Sequence, residues 1–499
     1  MWASPRSCKI FPRSAKNVYN VAQSSRAEAR PGIWYDLCSK RMSMKAAFRF
    51  RRALICGATL GLLFGGRDAP AVRNPNKYFV LDNGLQVVLY EKHGTPLVNM
   101  SLAVNLGSKD ETKGSYGLSH LLEHCLLFRG RGTPDEARAI GGFRRNGAYF
   151  NGYTNQDLTI YELSLPAERA EFGLSTQKEV FSDIELTPEE LDREKEIILE
   201  EIGTVRDDPR RFAASLVYEN LFPGHPYGNP LFGDEETIRA ATPEAIRSMH
   251  RAFYVPSNSS LAVVGDFALS EMEQKVRTVF GGLQGAPVIP ALIPMAKILG
   301  KSVEIRKKMD VKEAYLAIGL VGPDYNHPDQ YPAELLTEIL GRGFNPMLNG
   351  ALRARRDLVK SVSMSYAALK SGGVFIALFT LDPRDVSQAR SEALAFLKKV
   401  RSLNFGKDDY YGDDEVLAFD FLRGAKNQIK FSGQKGRESG LHLASSFVRH
   451  ILLAENKHET EGFLAKIEKV SSTDLRKVAA RYLSQGESVV IAIVPGKKS

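Results

Sequence analysis

The chain has 499 residues, 43% of them apolar and 25% charged, which excludes a disordered or fibrous class and is long enough for two or more cored domains. Its formal net charge of +9 invites a nucleic-acid reading, but residues 1–76 hold 14 Lys and Arg against 3 Asp and Glu. The remaining 53 basic and 55 acidic residues nearly cancel, so no nucleic-acid partner is expected.

Residues 1–43 carry Arg and Ser and no acidic residue before Glu28, a composition that reads as a mitochondrial transit peptide. Met44 then opens a basic run, followed by 14 uncharged residues from Ala53 to Gly66 and small residues through Ala71. That is the layout of a secretory signal peptide, and the apolar run is short for a membrane span. We therefore expect Met44 to be the functional start, with residues 1–43 a non-native or targeting extension. Residues 44–76 are then a signal peptide or membrane anchor with its linker. The expected destination is periplasmic or secreted, the alternative the mitochondrial matrix, and any membrane contact is through this anchor. Cys8, Cys38 and Cys56 all lie in this region, and without it only Cys125 remains, so no intrachain disulfide framework is expected.

From Tyr78 to Tyr90, Asn83-Gly84 stands between two apolar runs and predicts a hairpin. Val98 to Leu106 continues as a strand. Gly117 to Phe128 then predicts a helix, with Leu118, Leu122, Cys125 and Leu126 forming an apolar stripe and Gly130 and Gly132 as stop signals. Within it stands His120-x-x-Glu123-His124. Two histidines four apart share one helix face, so both imidazoles can grip one metal ion, and Glu123 flanks that face within reach of a bound water. The plain alternative is two surface histidines on an amphipathic helix. Cys125, one position on, points about 100° away and reads as a buried thiol.

After Gly141-Gly142, the segment Asn146 to Asp157 followed by Leu158 to Leu165, with Thr159, Tyr161 and Leu163 alternating, reads as paired strands. A catalytic zinc site keeps three protein ligands and one open position, so a third ligand is required. Thr187 with Glu190 makes a capping box and Pro188 sits at the first position of a helix running to Ile202, which carries Glu194 and Glu201 two turns apart on one face. His225, in a Pro- and Gly-rich turn, reads as structural.

An internal repeat follows. Thr242 to Phe253, a helix, leads to the strand Ser260–Val264, and at an offset of 229 Leu475 to Tyr482 repeats the helix and Val489 to Val494 the strand. Ala314 to Gly322 and the helix from Gln330 to Leu340 echo the strand and histidine helix, without the His pair. Two copies of one α+β unit are thus expected, at residues 77–284 with the metal ligands and 299–499 without them. A Pro-rich linker at 285–298 joins them.

His-x-x-Glu-His, then seventy-six residues, then a Glu with another seven before it, resembles the inverted-zincin metallopeptidases of the pitrilysin family. Short bacterial and processing-peptidase-like members are the nearest in kind. The resemblance spans about residues 77–499 and implies an α+β fold. Two homologous roll halves, each a mixed sheet with helices on one face, would oppose each other across a cleft.

It implies a zinc metalloendopeptidase acting on peptides or unfolded polypeptides. One Zn2+ per chain would sit on His120, His124 and Glu201, with Glu123 as general base and Glu194 orienting a ligand imidazole. It also implies that an edge strand through Asn151 and Gly152 holds substrate in extended form. From the second half it implies an Arg, here Arg353, and a Tyr seven residues later, where this chain has Lys360. Met347 stands where many relatives have Arg. The missing Tyr suggests a metal-bearing subunit paired with a homologous Arg- and Tyr-bearing chain, or a homodimer. The alternative reading is a non-catalytic scaffold or peptide-holding protein of the same fold.

Overall fold

Asn83 and Gly84 turn the chain as expected, Gly84 at φ 89°, so that β1 (Lys77–Val80) pairs antiparallel with β2 (Gln86–Glu91). The computed structural model describes residues 76–127, 142–288, 293–297, 300–343, 346–405, 420–454 and 462–496, all within one compact unit, Cys56–Ser499. The extension 1–43, the apolar run Ala53–Gly66, Gly130, Gly132 and part of the Pro-rich linker lie outside the described residues.

The first half adds β3 (Leu97–Val104), β4 (Tyr149–Thr154), β5 (Thr159–Pro166) and β6 (Ser259–Gly265). They form a six-stranded sheet in the order β1-β2-β6-β3-β5-β4. The second half supplies β7 (Val303–Met309), β8 (Ala314–Gly322), β9 (Ser361–Leu369), β10 (Gly372–Leu381) and β11 (Val489–Pro495). Their order is β7-β11-β8-β10-β9. Each sheet has one parallel pair, β2 with β6 and β7 with β11, among antiparallel ones. Without the β1 hairpin the two wirings are identical, and β6 and β11 are the strands of the 229-residue repeat. The fold is α+β in two halves, with mixed sheets.

Both faces of β2, β3, β6, β8, β10 and β11 are buried, which is why they read as nearly continuous apolar runs. In β3, Val98, Met100, Leu102 and Val104 enter one core while Ala103 enters another on the opposite face. In β10, Phe375, Ala377, Phe379 and Leu381 face one way, and Val374, Ile376 and Leu378 the other.

The first half carries α1 (Leu118–Leu127), α2 (Pro188–Asp207), α3 (Pro209–Leu221) and α4 (Pro243–Phe253). The second repeats them as α5 (Gln330–Thr337), α6 (Phe421–Glu438), α7 (Gly440–Leu453) and α8 (Ser472–Val478). Helices α1, α2 and α4 cover one face of their own sheet, as do α5, α6 and α8. The third helix of each half crosses over. Ala213, Ala214, Val217 and Leu221 of α3 pack on Ala317, Ile376 and Ile491 of the second sheet. Leu443, Ala444, Phe447, Val448 and Ile451 of α7 pack on Val88, Ala103, Ile160 and Val264 of the first. A sharp corner precedes each crossing. Asp208 ends α2 and accepts from the amides of Arg210 and Arg211, and Ser439 ends α6 and accepts from that of His442.

Candidate metal centre

Helix α1 begins where Glu111, seven residues upstream, reaches under its first turn. The Glu111 carboxyl accepts from the amides of Gly117 and Ser119, each at 2.8 Å, and contacts the Ser119 hydroxyl. This satisfies donors that a helix start otherwise leaves open. Burial pushes the Glu111 carboxyl up to about 8, against the pull of these bonds. Every residue from Leu118 to Leu126 is buried. The histidines are therefore not surface residues of an amphipathic helix, and Cys125 is a core thiol as read.

Helix α2 starts on the expected capping box, Thr187 accepting from the Glu190 amide and Glu190 from that of Thr187. It runs five residues past the expected end, to Asp207, and lies against α1 through Leu191, Ile198 and Ile202. Its Glu201 meets both imidazoles: Oε2 lies 3.7 Å from His120 Nε2, and Oε1 lies 3.9 Å from His124 Nε2. One donor atom from each of His120, His124 and Glu201 lies within 4.8 Å of the other two. Glu194, one face-repeat earlier, puts Oε2 at 3.4 Å from His124 Nδ1, so a proton on Nδ1 directed there leaves the Nε2 lone pair toward Glu201.

This donor set fits zinc. Two imidazole nitrogens and a carboxylate match three-ligand catalytic sites, and donors about 2.1 Å from a tetrahedral ion stand ~3.4 Å apart, close to the separations here. Burial and the neighbouring His124 hold the His120 imidazole well below its usual range, in the neutral form a metal requires. The imidazoles are 8–9% exposed but Glu201 is 30% exposed, which leaves an approach from its side.

Glu123 is buried beside the cluster and accepts from the Thr154 hydroxyl at 2.9 Å. Burial pushes its carboxyl up to about 8, with the charge of Glu201 adding to this and the Thr154 bond opposing it. Thr154 lies on β4, which among the described residues pairs only with β5 and so stands at the sheet's edge. Gly152 lies on the same strand face. A Cβ there would stand 3.1 Å from Glu123 Oε1 and 3.0 Å from Leu127 Cδ1, so the edge backbone passes directly over the carboxylate. Asn151 faces the other way, toward Tyr149. Thr154 and Glu111 were not singled out from the sequence. Period-two alternation puts Thr154 on the strand face of Gly152, but nothing local says that this face meets α1, and nothing local marked Glu111.

Two family patterns match the chain in succession. That described as Insulinase (Peptidase family M16) covers residues 86–235, and that described as Peptidase M16 inactive domain covers residues 240–411. The chain belongs to peptidase family M16, the pitrilysin-like family. Its M16 relatives include a zinc protease of Bacillus subtilis, YmxG, 24% identical over 326 residues, 65% of this chain and 78% of that one. A protein of Arabidopsis thaliana named as mitochondrial-processing peptidase subunit beta is 22% identical over 430 residues, 83% of this chain and 77% of that one. The solved structure of a protease from Helicobacter pylori shares the fold, with a TM-score of 0.75 at 21% identity, covering 85% of this chain and 100% of that one.

The remaining residues that the sequence singled out lie on other elements. Arg353 is exposed on the turn Gly350–Ala354. Lys360 is exposed and paired with Glu313 at 2.8 Å. Met347 is a core residue of the second half. His225 is structural as read, its Nδ1 accepting from the Tyr227 amide and its Nε2 lying 2.7 Å from the Pro294 carbonyl.

Proposed function

We propose that the protein is a zinc-dependent endopeptidase that cuts peptides or unfolded polypeptides. The observation that carries this is the convergence of His120, His124 and Glu201 from two helices, with Glu123 buried beside them. One zinc per chain would be held by those three side chains, and when bound it supplies Lewis acidity and lowers the pKa of water toward about 7. Glu123 accepts a proton from the attacking water and passes it to the leaving amine, and Thr154 fixes which carboxylate oxygen is free to do so. Glu194 keeps His124 in one tautomer. The edge of β4, unpaired among the described residues, offers main-chain groups to an extended peptide, which suits a peptidase that accepts varied side chains. Zinc content of the purified chain, with cleavage of a quenched unstructured peptide that a chelator stops and zinc restores, tests this. A zinc-free active preparation, or a zinc-loaded one that only binds peptide, removes the proposal.

We further propose that this chain is the metal-bearing member of a heterodimer. Lys360 replaces the expected Tyr and is engaged by Glu313, so no phenolic hydroxyl is offered at that position. The Arabidopsis relative is named as a subunit, which favours the reading. Equal cleavage rates with and without a co-expressed metal-free homologue would count decisively against it. The segment Met44–Ala71 supports a periplasmic or secreted destination, which N-terminal sequencing of exported protein tests. Retention of the full chain in the cytosol would overturn it.

A further inference from the structure

The two histidines face one point but are held differently. His124 has Glu194 behind its Nδ1. The Nδ1 of His120 is buried and has no hydrogen-bond partner among the described residues. A ligand imidazole with no group behind it is free to turn, and metal affinity falls with that freedom. Among the described residues, the ring packed against His120 besides that of His124 is Phe232. It lies nearly perpendicular, at 85°, with centroids 5.3 Å apart, inside the range where edge-to-face pairs attract.

Phe232 is itself held from two sides. The guanidinium carbon of Arg211, at the start of α3, lies 5.8 Å from the Phe232 centroid. Arg211 is 5% exposed, and its Nε has no hydrogen-bond partner among the described residues. A guanidinium removed from water is costly unless something offsets it, and among the described residues the face of the Phe232 ring is placed to do so. On the other side, the backbone following Phe232 is docked on the start of α1. Gly233 and Gly117 have φ of 81° and 87°, and a Cβ on Gly117 would stand 2.6 Å from Gly233 Cα and 2.8 Å from the Phe232 carbonyl oxygen. Only glycines permit that approach, three residues before His120.

We propose that Phe232, clamped by Arg211, is the positioning residue for His120, doing with an aromatic contact what Glu194 does for His124 with a carboxylate. The inference rests on the metal-centre reading above and adds two residues to it. It makes the orientation of one ligand depend on the corner where α2 turns into α3, because Arg211 is fixed there by the Asp208 cap.

The test uses the full chain prepared metal-free. Zinc affinity is read by competition with a chromophoric chelator, coordination geometry by the visible absorption of Co2+, and folding by the thermal midpoint without metal. Phe232→Leu keeps the apolar bulk and removes the ring, and is expected to weaken zinc binding by about 10–100-fold and alter the Co2+ bands. Arg211→Met should act in the same direction more weakly, and Arg211→Lys, which keeps a cation over the ring, should recover most of the affinity. If Phe232→Leu and Arg211→Met both bind zinc within about twofold of the parent with its Co2+ spectrum, the clamp is refuted. A lowered thermal midpoint with unchanged affinity refutes it too, as packing alone. Should Phe232→Leu fail to fold, the two Arg211 variants decide. A parent chain that binds no zinc sinks the metal centre, whereas a binding parent with insensitive variants sinks the clamp alone.

Discussion

Glu123 is set apart from His120, His124 and Glu201 by its surroundings: it is buried, accepts from the Thr154 hydroxyl through Oε2 and feels the charge of Glu201. Glu123→Gln keeps its size but cannot take a proton. Zinc content should be unchanged and turnover should fall by about 10²–10⁴-fold, while His120→Ala should lose both metal and turnover. Turnover in Glu123→Gln near that of the parent would remove the proton-transfer role. Glu111 provides a second expectation. Its pKa of about 8 lies above the ordinary 4.5, so the folded chain keeps a proton that the unfolded chain has lost. The stabilising contribution is complete below about 4.5 and is lost as pH rises through about 8. Urea midpoints of the metal-free chain should fall between pH 5 and pH 9, and less steeply in Glu111→Gln; parallel curves would show that Glu111 does not carry the dependence. His120, Glu123 and His124 were legible in the sequence as one group because helical periodicity alone puts them together. Thr154, Glu111 and Phe232 were not, because each reaches α1 from a different segment, and no local pattern encodes that meeting.

At the scale of elements, the sequence marked starts better than stops. The capping box at Thr187 placed the beginning of α2, but the helix continues to Asp207 because nothing in its last turn opposes helix until Asp208-Pro209 ends it and caps the next. The strand pairing of β4 and β5 was visible in alternation, whereas its position as the sheet's open edge depends on where other strands lie. That edge passes over Glu123 with only a hydrogen at Gly152 between them. In Gly152→Ala the new methyl would meet Glu123 Oε1 at 3.1 Å and Leu127 Cδ1 at 3.0 Å, so the carboxylate or the strand must shift by a few tenths of an ångström. Zinc binding should survive, since no ligand is touched. Turnover should drop by roughly 10–100-fold, mostly in kcat, because the base and the peptide held on β4 lose their alignment. Unchanged kcat would mean that the edge strand does not set the distance between base and substrate.

At the scale of the whole molecule, the duplication was readable because β6 and β11, and the helices before them, repeat at a constant offset. The exchange of α3 and α7 was not. An apolar helix face records that it is buried, not which of two similar sheets it is buried against. The exchange leaves each sheet with one face covered by a helix from the other half. Burying a Val, Leu, Ile or Phe side chain contributes roughly 1.5–3 kcal/mol. Leu443, Phe447, Val448 and Ile451 of α7, and Val217 and Leu221 of α3, together then represent an energy comparable to the net stability of a whole domain. Polar contacts cross as well: Tyr227 donates to Asp157 at 2.8 Å while its oxygen accepts from the Ser371 amide, and Asp157 accepts from the amide of Lys370. The two halves, which the expected linker at 285–298 would join, therefore depend on each other. A chain cut there and expressed as two separate fragments should give halves that show no cooperative thermal transition alone. Mixed or co-expressed, they should recover a single transition and the zinc site, because α3 and α7 regain their sheets without any covalent connection. If the first fragment alone unfolds cooperatively and binds zinc with the affinity of the intact chain, the exchanged helices are accessories to the fold rather than part of what holds each sheet together.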